Sequence, residues 1–474
     1  MKNYIFALLA GVTMATAGCK DSTAVRPQDA PTADALQGEL RRSSLQTLAI
    51  ALLAADRQTF VGTGSAYPIL ANILARDIYR LDPSEPRYLN ETIVNTADRG
   101  SFAGGGGWAG QYVTIRQANT LLQAATTPAP GAFSAAELAA VRGFAQTFKA
   151  IAYYRVLEMR DTLGVAFQNE DPTNTTPGTL ACKKDMINYV AALLDSANTN
   201  LVAAGNITFP WSAFPTGMSA FGRNYRSVPN FVLFNRGWKG KVDFYRGMDH
   251  QNPQPALFTT AITELTQALG GAAPGAVPAS TFQTGMYYVF VPAGTEAAPN
   301  PYSDTRIGIN PALDSLLPGD TRASKIVNRA SPATIQGITL TKTLARSVPS
   351  TANQSAPLPV LKDEELVLLR AQAYFEAGQF ANGYLDLNSV HTAYGLAPWA
   401  PSVDINTARS NLLYDKRYSL LGEGVQRLVD LRAYSRLNAT YYPKQTATDA
   451  YNTAFPIPKA EFDARGGNVT PVCT

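Results

Sequence analysis

Residues 364–394 constrain the fold more than any other stretch of the chain. Leu366, Leu369 and Ala373 recur at three- and four-residue steps, the spacing of one helix face. Tyr374, Gly378, Phe380, Leu387 and Val390 follow at tetratricopeptide-like offsets. A small residue where two helices touch, a glycine in the turn and an aromatic after it let two antiparallel helices nest closely. Other helix pairs match this template only loosely, but the helical reading extends along most of the chain.

Helices are expected over 45–53, which is alanine-rich, and over 66–79, where Tyr67, Leu70, Ile73 and Ile78 sit at near-helical spacing. A loop rich in Gly and Asn then leads to Trp108. Tyr112, Ile115, Ala118 and Leu122 make the next stripe. Ser134-Ala135-Ala136-Glu137 reads as a capping box, in which the serine oxygen and the glutamate each satisfy an unpaired amide at a helix start. The helix it opens runs to about Glu158. Further helices are expected over 186–203, 231–245 and 256–269. Residues 270–359 change character: they are rich in Gly, Pro, Ser and Thr, with short β-type runs such as Tyr287-Tyr288-Val289-Phe290-Val291. They read as an irregular insertion. Helices resume at Lys362 and continue, with breaks, to about Leu437; the tail from Tyr441 reads as loop.

The N-terminus has a different logic. Lys2 supplies a positive start, residues 4–17 are apolar apart from threonines, and Thr16-Ala17-Gly18 leads into Cys19. This is the layout of a secretory signal peptide over 1–18. Cysteine directly after Ala-Gly resembles a lipobox, with Thr16 where leucine is usual, so Cys19 is the expected lipidation site. Acyl chains hold a protein on a membrane because each buried methylene adds about 0.8 kcal/mol. Residues 19–40, with Pro27 and Pro31, read as a lipidated flexible tether. Residues 41–474 are expected to form a single domain with halves at about 41–229 and 230–474. No later segment has the roughly 18 apolar residues of a spanning helix.

Several function classes are disfavoured. A net charge of +4 over 474 residues, without a Lys/Arg cluster, gives no basis for nucleic-acid binding. Two histidines and three cysteines, none at ligand spacing, give no transition-metal site. Gly105-x-Gly107-x-x-Gly110 matches a dinucleotide fingerprint only on paper, since no strand precedes it. Glu364 and Glu365 are adjacent on a helix and point about 100° apart, so they do not face one cleft as a glycosidase pair must. No Gly-x-Ser-x-Gly elbow supports a nucleophile. No catalytic residue and no cofactor is therefore assigned. Cys182 and Cys473 leave two arrangements open, a disulfide tying the chain's end to its middle or two separate thiols.

Several ordered segments resemble the SusD/RagB family. Trp108, Tyr112, Ile115 and Asn119 fit its early helix, and Phe148 through Tyr154, running on to Leu163-Gly164, looks like its next segment. Asn235-Arg236-Gly237-Trp238-Lys239-Gly240 is similar to the helix opening its second half, with glycines for the usual alanines. Gly319-Asp320-Thr321-Arg322 resembles its Asp-x-Arg element. In the C-terminal third, Glu364 through Ala373, Leu387-Asn388 and Gly395 follow the family pattern, with Gln372 for Glu and His391 for Arg. Glu423-Gly424, Arg427 and Asp430-Leu431 match its Glu-Gly-x-Arg-x-x-Asp-Leu block, and Phe455-Pro456-Ile457-Pro458 its closing element.

That resemblance implies an all-α fold: a tetratricopeptide-like helical superhelix with long irregular loop insertions and minor short strands. It implies a non-enzymatic surface lipoprotein of the outer membrane, facing the exterior. Such a protein binds a polysaccharide or oligosaccharide and works with a SusC-like TonB-dependent barrel transporter. An exported tetratricopeptide-like scaffold binding proteins is the alternative. Glu423, Arg427 and Asp430, at helical spacing, are expected to form a structural ion network. A sugar site needs aromatic faces for the pyranose C–H surface beside polar groups for its hydroxyls. The candidates with that mixture are Trp108, Trp211, Tyr225, Tyr287, Tyr288 and Tyr302.

Overall fold

A computed structural model describes residues 39–473 except 63–65, 101–105, 169, 172–173, 175, 212–220, 295–296 and 443. Cys19, the signal peptide, nearly all of the tether and Gly105 lie outside the described residues. Along the chain run α1 (Arg42–Gln58), α2 (Tyr67–Leu74), β1 (Ile78–Arg80), α3 (Ala109–Ala124) and α4 (Ala135–Arg160). Then come β2 (Val165–Ala166), β3 (Leu180–Ala181), α5 (Lys183–Ala204), α6 (Val228–Gly247) and α7 (Leu257–Ala268). After α7 come β4 (Gly285–Tyr288), β5 (Ile307–Ile309), β6 (Ile326–Ile335), β7 (Ile338–Leu344) and β8 (Leu358–Lys362). The last helices are α8 (Asp363–Glu376), α9 (Phe380–Ala393), α10 (Ile405–Ser419), α11 (Gln426–Ala433) and α12 (Lys459–Ala464).

The capping box opens α4 as expected. Ser134 Oγ accepts from the Glu137 amide at 3.2 Å, and the Ser134 amide donates to Glu137 Oε2 at 2.9 Å. From Ala139 onward α4 is buried on nearly every side, gripped by α3 and α5. Helices pack on their chain neighbours in turn: α3 on α4, α4 on α5, α5 on α6, α6 on α7, and α8 on α9 and α10. That is the nearest-neighbour stacking of a helical-repeat superhelix. The fold is all-α in class, with minor short strands, and residues from Leu40 onward form one compact unit.

Close helix contacts explain the glycines inside helices. A Cβ on Gly240 would lie 2.6 Å from Leu265 Cγ of α7, and one on Gly143 would lie 2.5 Å from Leu201 Cγ of α5. In the α8–α9 pair, Gly378 takes φ +73° in the turn and Gly383 lies against the Phe375 ring.

Two segments differ from expectation. The helix expected over 66–79 ends at Leu74, and Ile78–Arg80 becomes a strand paired antiparallel with β5, Ile78 opposite Ile309. The break is tertiary: Arg76 turns to φ +60° and is buried against Asp449 at 2.6 Å. Residues 270–359 are more regular than expected. β4 pairs with β8, and β6 and β7 make a hairpin around Gln336-Gly337, both at positive φ.

The ion network is also rearranged. Glu423 lies before α11 rather than on it, so it does not share a helix face with Arg427 and Asp430. Glu423 pairs with Lys362 at 2.7 Å, Asp430 with Lys416 at 2.7 Å, and Arg427 with the Tyr442 hydroxyl. Each residue thus ties a different neighbour to this corner, because the turn before α11 rotates Glu423 away.

Of the three carboxyls in the first turn of α8, Asp363 and Glu364 behave in opposite ways. Burial pushes Asp363 up to about 6, against the pull of Arg223 at 3.2 Å. Burial also raises Glu364, but Lys362 at 2.9 Å and Lys325 overcome it and hold that carboxyl at about 2. A carboxyl raised in the folded state contributes stability that is complete below its unfolded value near 4 and lost as pH rises through about 6. Asp363→Asn keeps a neutral side chain at every pH. Its unfolding free energy relative to the parent is therefore expected to grow by on the order of 2–3 kcal/mol between about pH 4 and pH 7. Urea titrations at stepped pH measure this, and a difference that stays flat rules the assignment out.

Candidate ligand-binding site

All six aromatic candidates are in the core, none more than 6% exposed. Trp108 packs on Tyr112 at 4.9 Å beneath the Arg160 guanidinium. Trp211 stacks on Phe209 at 4.7 Å and meets Phe144 edge-on at 4.8 Å. Tyr225 meets Phe234 edge-on. Tyr287 donates to the Gln283 carbonyl at 2.8 Å, Tyr288 to Asp56, and the Tyr302 hydroxyl accepts from Asn72 at 3.0 Å. An aromatic enclosed on both faces has none left for a sugar ring. The expectation that Trp108, Trp211, Tyr225, Tyr287, Tyr288 and Tyr302 contact ligand is therefore corrected: their rings fill the interior, and the tyrosine hydroxyls named bond within it.

An open cavity of about 780 Å³ lies instead between the β2–β3 connection and the start of α5. Its frame follows from local pairing. β2 and β3 run antiparallel with Val165 opposite Ala181, and the chain's end joins them through the Val472 amide, which donates to the Leu180 carbonyl at 2.8 Å. Cys182 and Cys473 are joined in a disulfide with their Cα atoms 5.2 Å apart, which ties the end of the chain to the mouth of α5. Asp185 lies beside the two sulfurs, but both sulfurs are bonded to each other, so the group offers no thiolate pair to a metal.

Two rings form the cavity's aromatic wall. Phe167 and Tyr189 meet edge-on with centroids 4.7 Å apart, and Phe167 also stacks on Tyr153 at 6.0 Å. The Tyr153 hydroxyl accepts from the Gln168 amide at 3.0 Å, which fixes the start of the connection. Gln168, Asn174, Thr176, Thr179 and Asp185 supply polar groups around the rings. Glu170, largely exposed, pairs with the buried ammonium of Lys149 at 2.8 Å. Burial raises the Tyr189 hydroxyl, with Lys149 partly opposing, so it stays a neutral donor at ordinary pH. A smaller cleft of about 210 Å³ lies on the other side of the same connection, lined by Tyr112, Arg116, Glu461 and Arg465.

Chemically such a wall offers half-buried aromatic rings to an apolar face, and amides and hydroxyls to polar groups beside it. Sequence reasoning missed Phe167 and Tyr189. Tyr189 lies on an amphipathic helix, where an aromatic reads as core, and Phe167 follows a strand of two residues that carries no periodic signal.

The fold is shared with solved structures of SusD superfamily proteins. A SusD superfamily protein from Parabacteroides distasonis superposes with a TM-score of 0.66 at 11% identity, covering 91% of this chain and 98% of that one. Surface glycan-binding protein A from Bacteroides uniformis gives 0.67 at 13% identity, covering 90% and 98%. A laminarin-binding SusD-like protein gives 0.61 at 14% identity over the same shares, 90% and 98%. No family model matches the sequence, and no curated protein matches it. Among the described residues no helix is long and apolar enough to cross a membrane.

Proposed function

We propose that this protein is a non-catalytic, cell-surface glycan-binding lipoprotein of the outer membrane, which captures an oligosaccharide and hands it to a SusC-like TonB-dependent transporter. In this reading residues 1–18 are removed, Cys19 carries the lipid, 19–40 form the tether and 41–474 the binding body. The observation that carries it is the open cavity walled by Phe167 and Tyr189 with amide and hydroxyl groups around them, on a fold shared with a surface glycan-binding protein and a laminarin-binding protein. The disulfide beside it suits an exported chain.

Titration calorimetry of the mature chain against a panel of neutral oligosaccharides tests the binding step. One or more are expected to bind, and Tyr189→Ala, which removes a stacking face, is expected to weaken that binding by about tenfold or more. Full affinity in the variant sinks the site, and no binding across the panel sinks the glycan reading. Affinity capture from mild-detergent outer-membrane extracts tests the partner: a co-purifying large β-barrel is the expected result, and recovery of the chain alone is the contrary one.

A further inference from the structure

Away from that cavity, α10, α11 and the segment 436–442 enclose a cleft of about 210 Å³ with an unusual lining. Three arginines, Arg417, Arg427 and Arg436, face it together with Tyr414, Tyr441 and Tyr442, and no carboxylate is among its lining residues. Asp77 stands behind them. It accepts two bonds from Arg417, at 2.9 Å and 2.6 Å, and lies 3.8 Å from Arg427. Asp314, next to the rim, is turned to Lys342 at 2.8 Å, and Asp320 accepts from Tyr414 and is chelated by Arg322. One carboxylate thus answers three guanidinium groups, and the cleft keeps a positive excess.

Arg436 is placed to use that excess. Among the described residues its side chain donates only to the Ser410 hydroxyl, at 3.2 Å, and its guanidinium lies over the Tyr441 ring at 5.2 Å. Tyr441 is half exposed. A planar guanidinium presents parallel donors that match a carboxylate, and an exposed ring beside it offers a stacking face. The volume suits one small group rather than a long chain.

The geometry points to this cleft as a second binding site, one that takes a single carboxylate-bearing sugar unit: the acid on Arg436 and the ring on Tyr441. It extends the glycan-binding reading to acidic saccharides and uses different residues, so the two stand or fall separately.

The test is calorimetry of the mature chain with a galacturonic acid trimer and with its fully methyl-esterified form, which keeps the sugar backbone but lacks the charge. The acidic trimer is expected to bind about tenfold or more tighter than the ester, with the preference shrinking between about 0.05 and 0.5 M salt. Arg436→Gln, on a partly exposed side chain, is expected to keep the parent's melting temperature and abolish the preference. Tyr189→Ala is expected to leave it within about twofold, since the two linings share no residue. Equal affinity for the two trimers, or no binding of either, overturns the proposal. So does a preference that survives Arg436→Gln or disappears with Tyr189→Ala. Loss of neutral-glycan binding in Tyr189→Ala with the acidic preference intact supports both sites.

Discussion

Asp415→Ala is expected to cost about 3–5 kcal/mol of stability, because it leaves a buried charge without its partner. The Asp415 carboxylate is fully buried and receives three donors: Arg322 Nη2 at 2.8 Å, His391 Nδ1 at 2.9 Å and Trp399 Nε1 at 2.9 Å. Arg322, itself enclosed, would keep only Asp320 as a charged partner. Removing the acid also strands the His391 ring, which lies against Trp399 at 4.4 Å. The control is Asp463→Ala, whose pair with Lys459 is more than half exposed on both sides; its cost is expected to stay under about 1 kcal/mol. Urea unfolding of both variants decides the matter. A loss near that of the control would mean that the Asp415 cluster adds little to holding α9 on α10.

Trp211→Ala is expected to be of similar size, about 3–5 kcal/mol, and to act on stability rather than on ligand. Trp211 is 2% exposed and lies in a cluster with Phe144 and Phe209, which Phe148 and Phe231 extend. Truncating it removes a large apolar surface and leaves a cavity that rigid α4 and α6 can close only in part. Tyr189→Ala is the mirror image: a partly exposed ring at a cavity wall, where the expected loss is in binding. Thermal melts and glycan titrations on the two variants separate the cases. A Trp211→Ala protein that melts like the parent but no longer binds sugar would restore Trp211 as a ligand contact and refute its placement in the core.

The particular successes and failures of the sequence reading have one physical origin. Ser134 and Glu137 satisfy each other's amides within four residues, so the start of α4 is legible locally. Gly378 and Phe380 specify a tight helical turn by the same local logic. The β6–β7 hairpin turns on Gln336-Gly337, which carries a weaker signal than Asn-Gly, and it passed as irregular chain. His391 in place of arginine had no local reason; its reason is Asp415, 24 residues along the sequence and 2.9 Å away.

By itself, then, the sequence marked most of the helices, through periodicity and caps that operate over three or four residues, and its ordered motifs pointed to the fold they assemble into. It also marked six aromatic residues with the chemistry to stack on a sugar. Only the tertiary structure decided that all six are covered and that Phe167 and Tyr189, which the sequence did not mark, line an open cavity. Whether an aromatic ring is covered depends on segments distant in the chain. Phe209 and Phe144 close over Trp211, while the joining of residue 473 to residue 182 frames an open cavity beside Phe167 and Tyr189. Burial is a property of packing, and a spacing of residues along one helix cannot encode it.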